Sequence, residues 1–174
     1  MIRPTNALAL SSLAICGLIG LNALYAVAIG SLLVATLAYP TFLFDALLGL
    51  DGGDHWQVRA ALRGVVVLGL AGAYAIHRVL RELQAIVETV RSGDPFIVGN
   101  AQRLQRIAWW VLAGEGLRVG VAGLVWCAAQ FVPSVDNIDV GFSFAPWLAV
   151  LLLFVLARVF DHGARLRADL DGTV

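Results

Sequence analysis

The chain has 174 residues, of which 60% are hydrophobic and 14% charged, and its mean hydropathy is +0.84. A soluble domain carries closer to a quarter charged residues, so a water-soluble globule is excluded. Twelve arginines balance twelve carboxylates, which removes any global pull toward nucleic acid, and direct nucleic-acid binding is not expected.

No charge occurs between Arg3 and Asp45. A helix needs about 20 apolar residues to cross the hydrocarbon core, so the first span is expected over residues 9–38. The stretch is roughly twice the length of a signal-peptide core, and a retained span is expected. Tyr39-Pro40 ends it, because proline disfavours helix in the residue before it. The apolar residues 41–50 are too short to cross and are expected to lie along the interface. Gly52-Gly53 makes a turn, and Asp54 with Gln57 fits a capping box that starts the second helix.

The second span is expected over 58–80, and its helix continues beyond the membrane. Val79, Leu80, Leu83, Ile86, Val87 and Val90 recur at the spacing of one helical face. Glu88 with Arg91, and Arg81 with Glu82, are placed on the wet face. Ser92-Gly93 stops the helix, Asp94-Pro95 turns the chain, and Asn100 is placed as the N-cap of the third helix. The third span is expected over 107–131. The result is a helical hairpin over 81–106 standing roughly 15 Å clear of the bilayer. The fourth span is expected over 144–162. Its helix continues into a tail, 163–174, whose Leu166 and Leu170 form an apolar edge able to pack on the hairpin.

Basic residues collect on the cytoplasmic side of membranes. Arg78, Arg81, Arg91, Arg103 and Arg106 lie in the central connection, while the other two connections hold five aspartates and Arg59 alone. Both termini and the hairpin are therefore expected in the cytoplasm. The fold class is an all-α, integral membrane four-helix bundle, a single domain, with the lipid bilayer as its first partner.

Few residues invite chemistry. Glu115 and Arg118 fall near the middle of the third span, where charges are costly and usually paired. Their spacing lets them neutralise each other. Arg63 and Asn22 are candidates to join them in an intramembrane polar cluster. That cluster would serve a small transporter or channel, or else simply fix helix register. Gly116, Gly120 and Gly123 form a smooth face suited to close packing within the bundle, or to a homo-oligomer. His77 and His162 are the only basis for a weaker reading as a haem or quinone protein, and no cofactor or metal is expected. Cys16 and Cys127 are read as small buried hydrophobes, too far apart along the bilayer normal for a disulfide. No hydrolase, phosphate-loop or zinc signature occurs, and no enzymatic activity is expected.

The hairpin reads IVETVRSGDPF over 86–96 and NAQRLQRI over 100–107, and the C-terminus reads VFDHGARLRADLDGTV over 159–174. The chain resembles domain-of-unknown-function family 2975, small four-span bacterial inner-membrane proteins. That family's pattern has G-x-P-F and a following Asn, an F-x-x-G-x-x-L segment, and an acidic stretch ending in Thr-Val. The corresponding positions are Gly93, Pro95, Phe96, Asn100, Phe160, Gly163, Leu166, Asp169, Asp171, Thr173 and Val174. The family carries no assigned activity. Its members are often encoded beside a small helix-turn-helix regulator, so the resemblance implies a regulatory partnership. The leading expectation is a regulatory or tethering protein that holds a cytoplasmic partner, such as that transcriptional regulator. Gly93, Asp94, Pro95, Phe96, Asn100, Leu166 and Asp171 are the expected docking residues. Phe96 can alternatively staple the hairpin to the C-terminal helix.

Overall fold

A computed structural model describes residues 4–39, 56–93, 96–131 and 143–171. The described residues form α1 (Pro4–Ala38), α2 (Trp56–Arg91), α3 (Val98–Ala129) and α4 (Ala145–Asp171). All four are long and apolar enough to cross a membrane. The interfacial segment 41–50, the glycine turn and the Asp54 cap lie outside the described residues. α1 begins at Pro4, before the expected span, and proline suits a first helical turn because its missing N–H is one the turn leaves unused.

Large apolar side chains stand exposed on every helix, among them Leu13, Val67, Trp126 and Leu152. In α1 the most apolar window buries none of its residues against the chain. Such surfaces would drive aggregation in water. Lipid tails cover them without penalty, because hydrocarbon is as apolar as leucine.

The chain divides into two compact units. One combines residues 1–22, 75–113 and 143–174, and so draws on all four helices. Its α2 and α3 segments run antiparallel: Glu82 accepts an ion pair from Arg106 at 3.0 Å, and Arg78 lies over the Trp110 ring at 5.7 Å. Its buried apolar residues are small or branched, including Ala75, Leu80, Leu104, Ile107 and Ala157. Gln84 reaches the Cys16 sulfur at 3.8 Å.

The other unit combines residues 23–74 and 114–142. Val58, Ala61 and Ala128 form its core, with Leu62 and Val125 packed around them. Glycine permits close approach at Gly64, where an added Cβ would stand 2.8 Å from Leu124, and at Gly120, where it would stand 3.2 Å from Leu68. Gly116 and Gly123 face open space. Only the middle glycine of the expected face therefore packs within the bundle, and Gly64 on the opposing helix makes the tighter contact. Cys16 and Cys127 are free thiols on the exposed surface, not buried hydrophobes. Cys16, though exposed, takes the Gln84 amide from a neighbouring helix.

Candidate functional site

α2 ends where Ser92 donates to Glu88 O at 3.0 Å and Gly93 to Val90 O at 3.2 Å. Gly93 has φ +91°, a left-handed conformation that glycine adopts without steric penalty. Asp94 and Pro95 lie outside the described residues. The chain re-enters helix at Val98, two residues before the expected cap. Asn100 is thus inside α3, not at its N-cap. It is wholly buried: its amide donates to the Thr89 hydroxyl at 2.7 Å, and its carbonyl accepts from Arg103 at 2.8 Å. A buried amide needs both kinds of partner, and this network supplies them from two helices. Glu82, expected on the wet face beside Arg81, is instead 9% exposed and paired across to Arg106.

Phe96 folds back onto α4. Its ring lies 5.3 Å from that of Phe160 and inclined at 32°. A Cβ on Gly163 would come within 3.3 Å of the Phe96 ring, so the glycine makes room for the contact. Phe96 therefore staples the turn to α4 while 45% of it remains exposed. The α4 extension packs through Phe160, Gly163 and Ala164. Leu166, expected to face the hairpin, is 53% exposed. Asp171 is the last residue of α4, and its side chain lies outside the described residues. The expected Glu88–Arg91 pair is present at 3.6 Å, and Asp161 pairs with Arg165 at 3.0 Å.

Beside this staple lies a cleft of about 450 Å³ between α3 and α4. Phe154, which lines it, meets Trp109 edge-on at 5.6 Å. Ala101 and Ala157 are buried in its floor, and their small side chains leave the gap. Gln102, Gln105, Arg158 and Asp161 supply its polar atoms. Sequence reasoning passed over these residues. The available signal was Arg158, the first charge after the apolar run of α4.

Of the intramembrane candidates, Glu115 and Arg118 form the pair that their spacing predicts. In the second unit Glu115 is 6% exposed and accepts from Arg118 Nε at 2.7 Å. The Arg63 guanidinium donates to the Thr36 carbonyl at 2.8 Å. Thr36 stands in the last turn of α1, whose carbonyls have no partner within the helix. A cation there satisfies one carbonyl and meets the negative end of the helix dipole. Asn22 belongs to the first unit and is half-buried. Among the described residues no group of three His, Cys, Asp or Glu is placed to hold a metal.

Four apolar helices with exposed hydrophobic faces define a multi-pass, all-α membrane protein. Residues 13–174 match the family model described as "Protein of unknown function (DUF2975)", and the chain belongs to that family. No curated protein and no solved structure matches it.

Proposed function

We propose that the protein is a non-enzymatic membrane anchor that binds a cytoplasmic partner through the end built from the α2–α3 turn and the tail of α4. The observation that carries this reading is the order of that end. α2 runs 13 residues past Arg78 and α4 runs 13 past Arg158, each extension about 20 Å at the helical rise. The Glu82–Arg106 pair and the buried Asn100 network tie the α2 extension to α3, and Phe96 meets Phe160 of the α4 extension. A surface already ordered loses little entropy on binding. Arginine is concentrated at this end, which supports a cytoplasmic orientation. The exposed Leu166 offers an apolar contact. The partner in view is a small helix-turn-helix regulator, the neighbour that the family resemblance implies.

The test is affinity capture from host membranes in mild detergent, native chain against Leu166→Asp. The expected result is a soluble DNA-binding protein held by the native chain and lost from the variant, with both chains equally folded. If the native chain retains no such protein, the reading fails.

One observation favours a second reading, a small transporter or channel subunit: Glu115 is a buried carboxylate inside an apolar span. Glu115→Gln should then abolish flux in reconstituted vesicles. Unchanged flux, or no flux by the native chain, rules it out.

A further inference from the structure

The cleft between α3 and α4 sits where hydrocarbon gives way to water. In α4 no charge occurs from Ala145 to Ala157, and Arg158 and Asp161 follow. In α3 the last charge before the span is Arg106, followed by Trp109 and Trp110, the aromatic and basic belt of a bilayer interface. The cleft straddles this boundary, with Phe154 and Ala157 on the apolar side and Gln102, Gln105 and Arg158 on the polar side.

The charges within it are unequal. Asp161 is already neutralised by Arg165 at 3.0 Å. Among the described residues Arg158 has no carboxylate partner and is exposed. The cleft therefore presents one uncompensated cation flanked by two side-chain amides, each able to donate to an oxyanion. Its volume, about 450 Å³, lies in the range of small-ligand sites, about 300–1,000 Å³. Val98, Gln102, Gln105 and Trp109 form one exposed stripe along α3, and Leu151 and Val155 are exposed on α4. The polar mouth is thus continuous with apolar surface that meets the lipid.

We propose that this cleft binds an anionic phospholipid, its phosphate on Arg158, Gln102 and Gln105 and its acyl chains along Phe154 and Trp109. An occupant must have one apolar end and one anionic end and must arrive at the interface, and the membrane's own anionic lipids satisfy all three conditions. The site is independent of the tethering reading, because neither Leu166 nor a soluble partner takes part.

Native mass spectrometry of the purified full chain in nonionic detergent tests it, with equimolar phosphatidylglycerol and phosphatidylcholine of matched acyl chains. The native chain is expected to retain phosphatidylglycerol preferentially. Arg158→Gln is expected to reduce that preference roughly fivefold, the contribution of one interfacial basic residue. Ala157→Leu fills the floor without changing charge and is expected to lose the bound lipid. Should it fail to fold, Arg158→Gln decides alone. Arg81→Gln, an exposed arginine outside the cleft, is expected to behave as the native chain. No preference in the native chain overturns the assignment. An equal loss with Arg81→Gln overturns it too, since binding would then follow surface charge alone. If soluble glycerol phosphate binds as well as the lipid, the apolar floor has no role and the assignment fails. If Arg158→Gln leaves lipids unaffected but releases a protein partner, the cleft belongs to a polypeptide instead.

Discussion

Single side chains decide most of what is specific in this molecule, because almost every other position needs only to be apolar. Glu115 is buried in an apolar helix and tolerated because Arg118 lies one turn away on the same side. Removing only the carboxylate takes from Arg118 the ion-pair partner one turn away. We expect Glu115→Ala to destabilise by about 3–5 kcal/mol, and the double change Glu115→Leu with Arg118→Leu to recover most of that. Thermal unfolding in detergent reads both; a mild effect in the single variant would mean that water reaches the pair. Asn100 is a second such case. Asn100→Ala removes the donor to the Thr89 hydroxyl and the acceptor of Arg103, and should cost about 1–3 kcal/mol, seen as a lower unfolding midpoint. The spacing of Glu115 and Arg118 made their pairing legible in the sequence. The Asn100 network was not, since its partner Thr89 lies 11 residues away across a turn.

Helix identities and approximate ends followed from hydropathy and punctuation, and the stop at Ser92-Gly93 was correctly placed. The contacts between helices were not. Arg63 illustrates the difficulty: depth alone made Glu115 an attractive partner, but the unsatisfied carbonyl of Thr36 takes the guanidinium. A main-chain acceptor at a helix C-terminus carries no side-chain signal in the sequence. At this scale the Phe96 staple is testable through Gly163. A larger side chain there meets the Phe96 ring at 3.3 Å. Gly163→Leu should therefore expel Phe96 and raise amide hydrogen exchange over 96–106 and 158–169, leaving the rest of α3 protected. Unchanged exchange would show that the staple does not order this end.

For the whole molecule, the charge asymmetry sets the expected orientation. With Cys16 and Cys127 replaced by serine, Ser92→Cys should be shielded from a membrane-impermeant thiol reagent in intact cells and labelled in inverted vesicles. Labelling in intact cells would reverse the orientation and remove the cytoplasmic tether. Neither the staple nor the lipid cleft depends on that result, because each rests on contacts inside one unit.

By itself the sequence determined the class of protein, the four helices and that each is long and apolar enough to cross a bilayer. Those properties depend on composition and on the length of apolar runs, which are local and additive. Tertiary structure alone decided that Phe96 turns inward, that Glu82 pairs with Arg106 instead of meeting water, that Arg63 caps α1, and that Ala101 and Ala157 open a cleft beside Arg158. These depend on which faces of neighbouring helices meet. In a membrane that choice is poorly encoded by hydrophobicity, because the lipid-facing and the buried surfaces are both apolar.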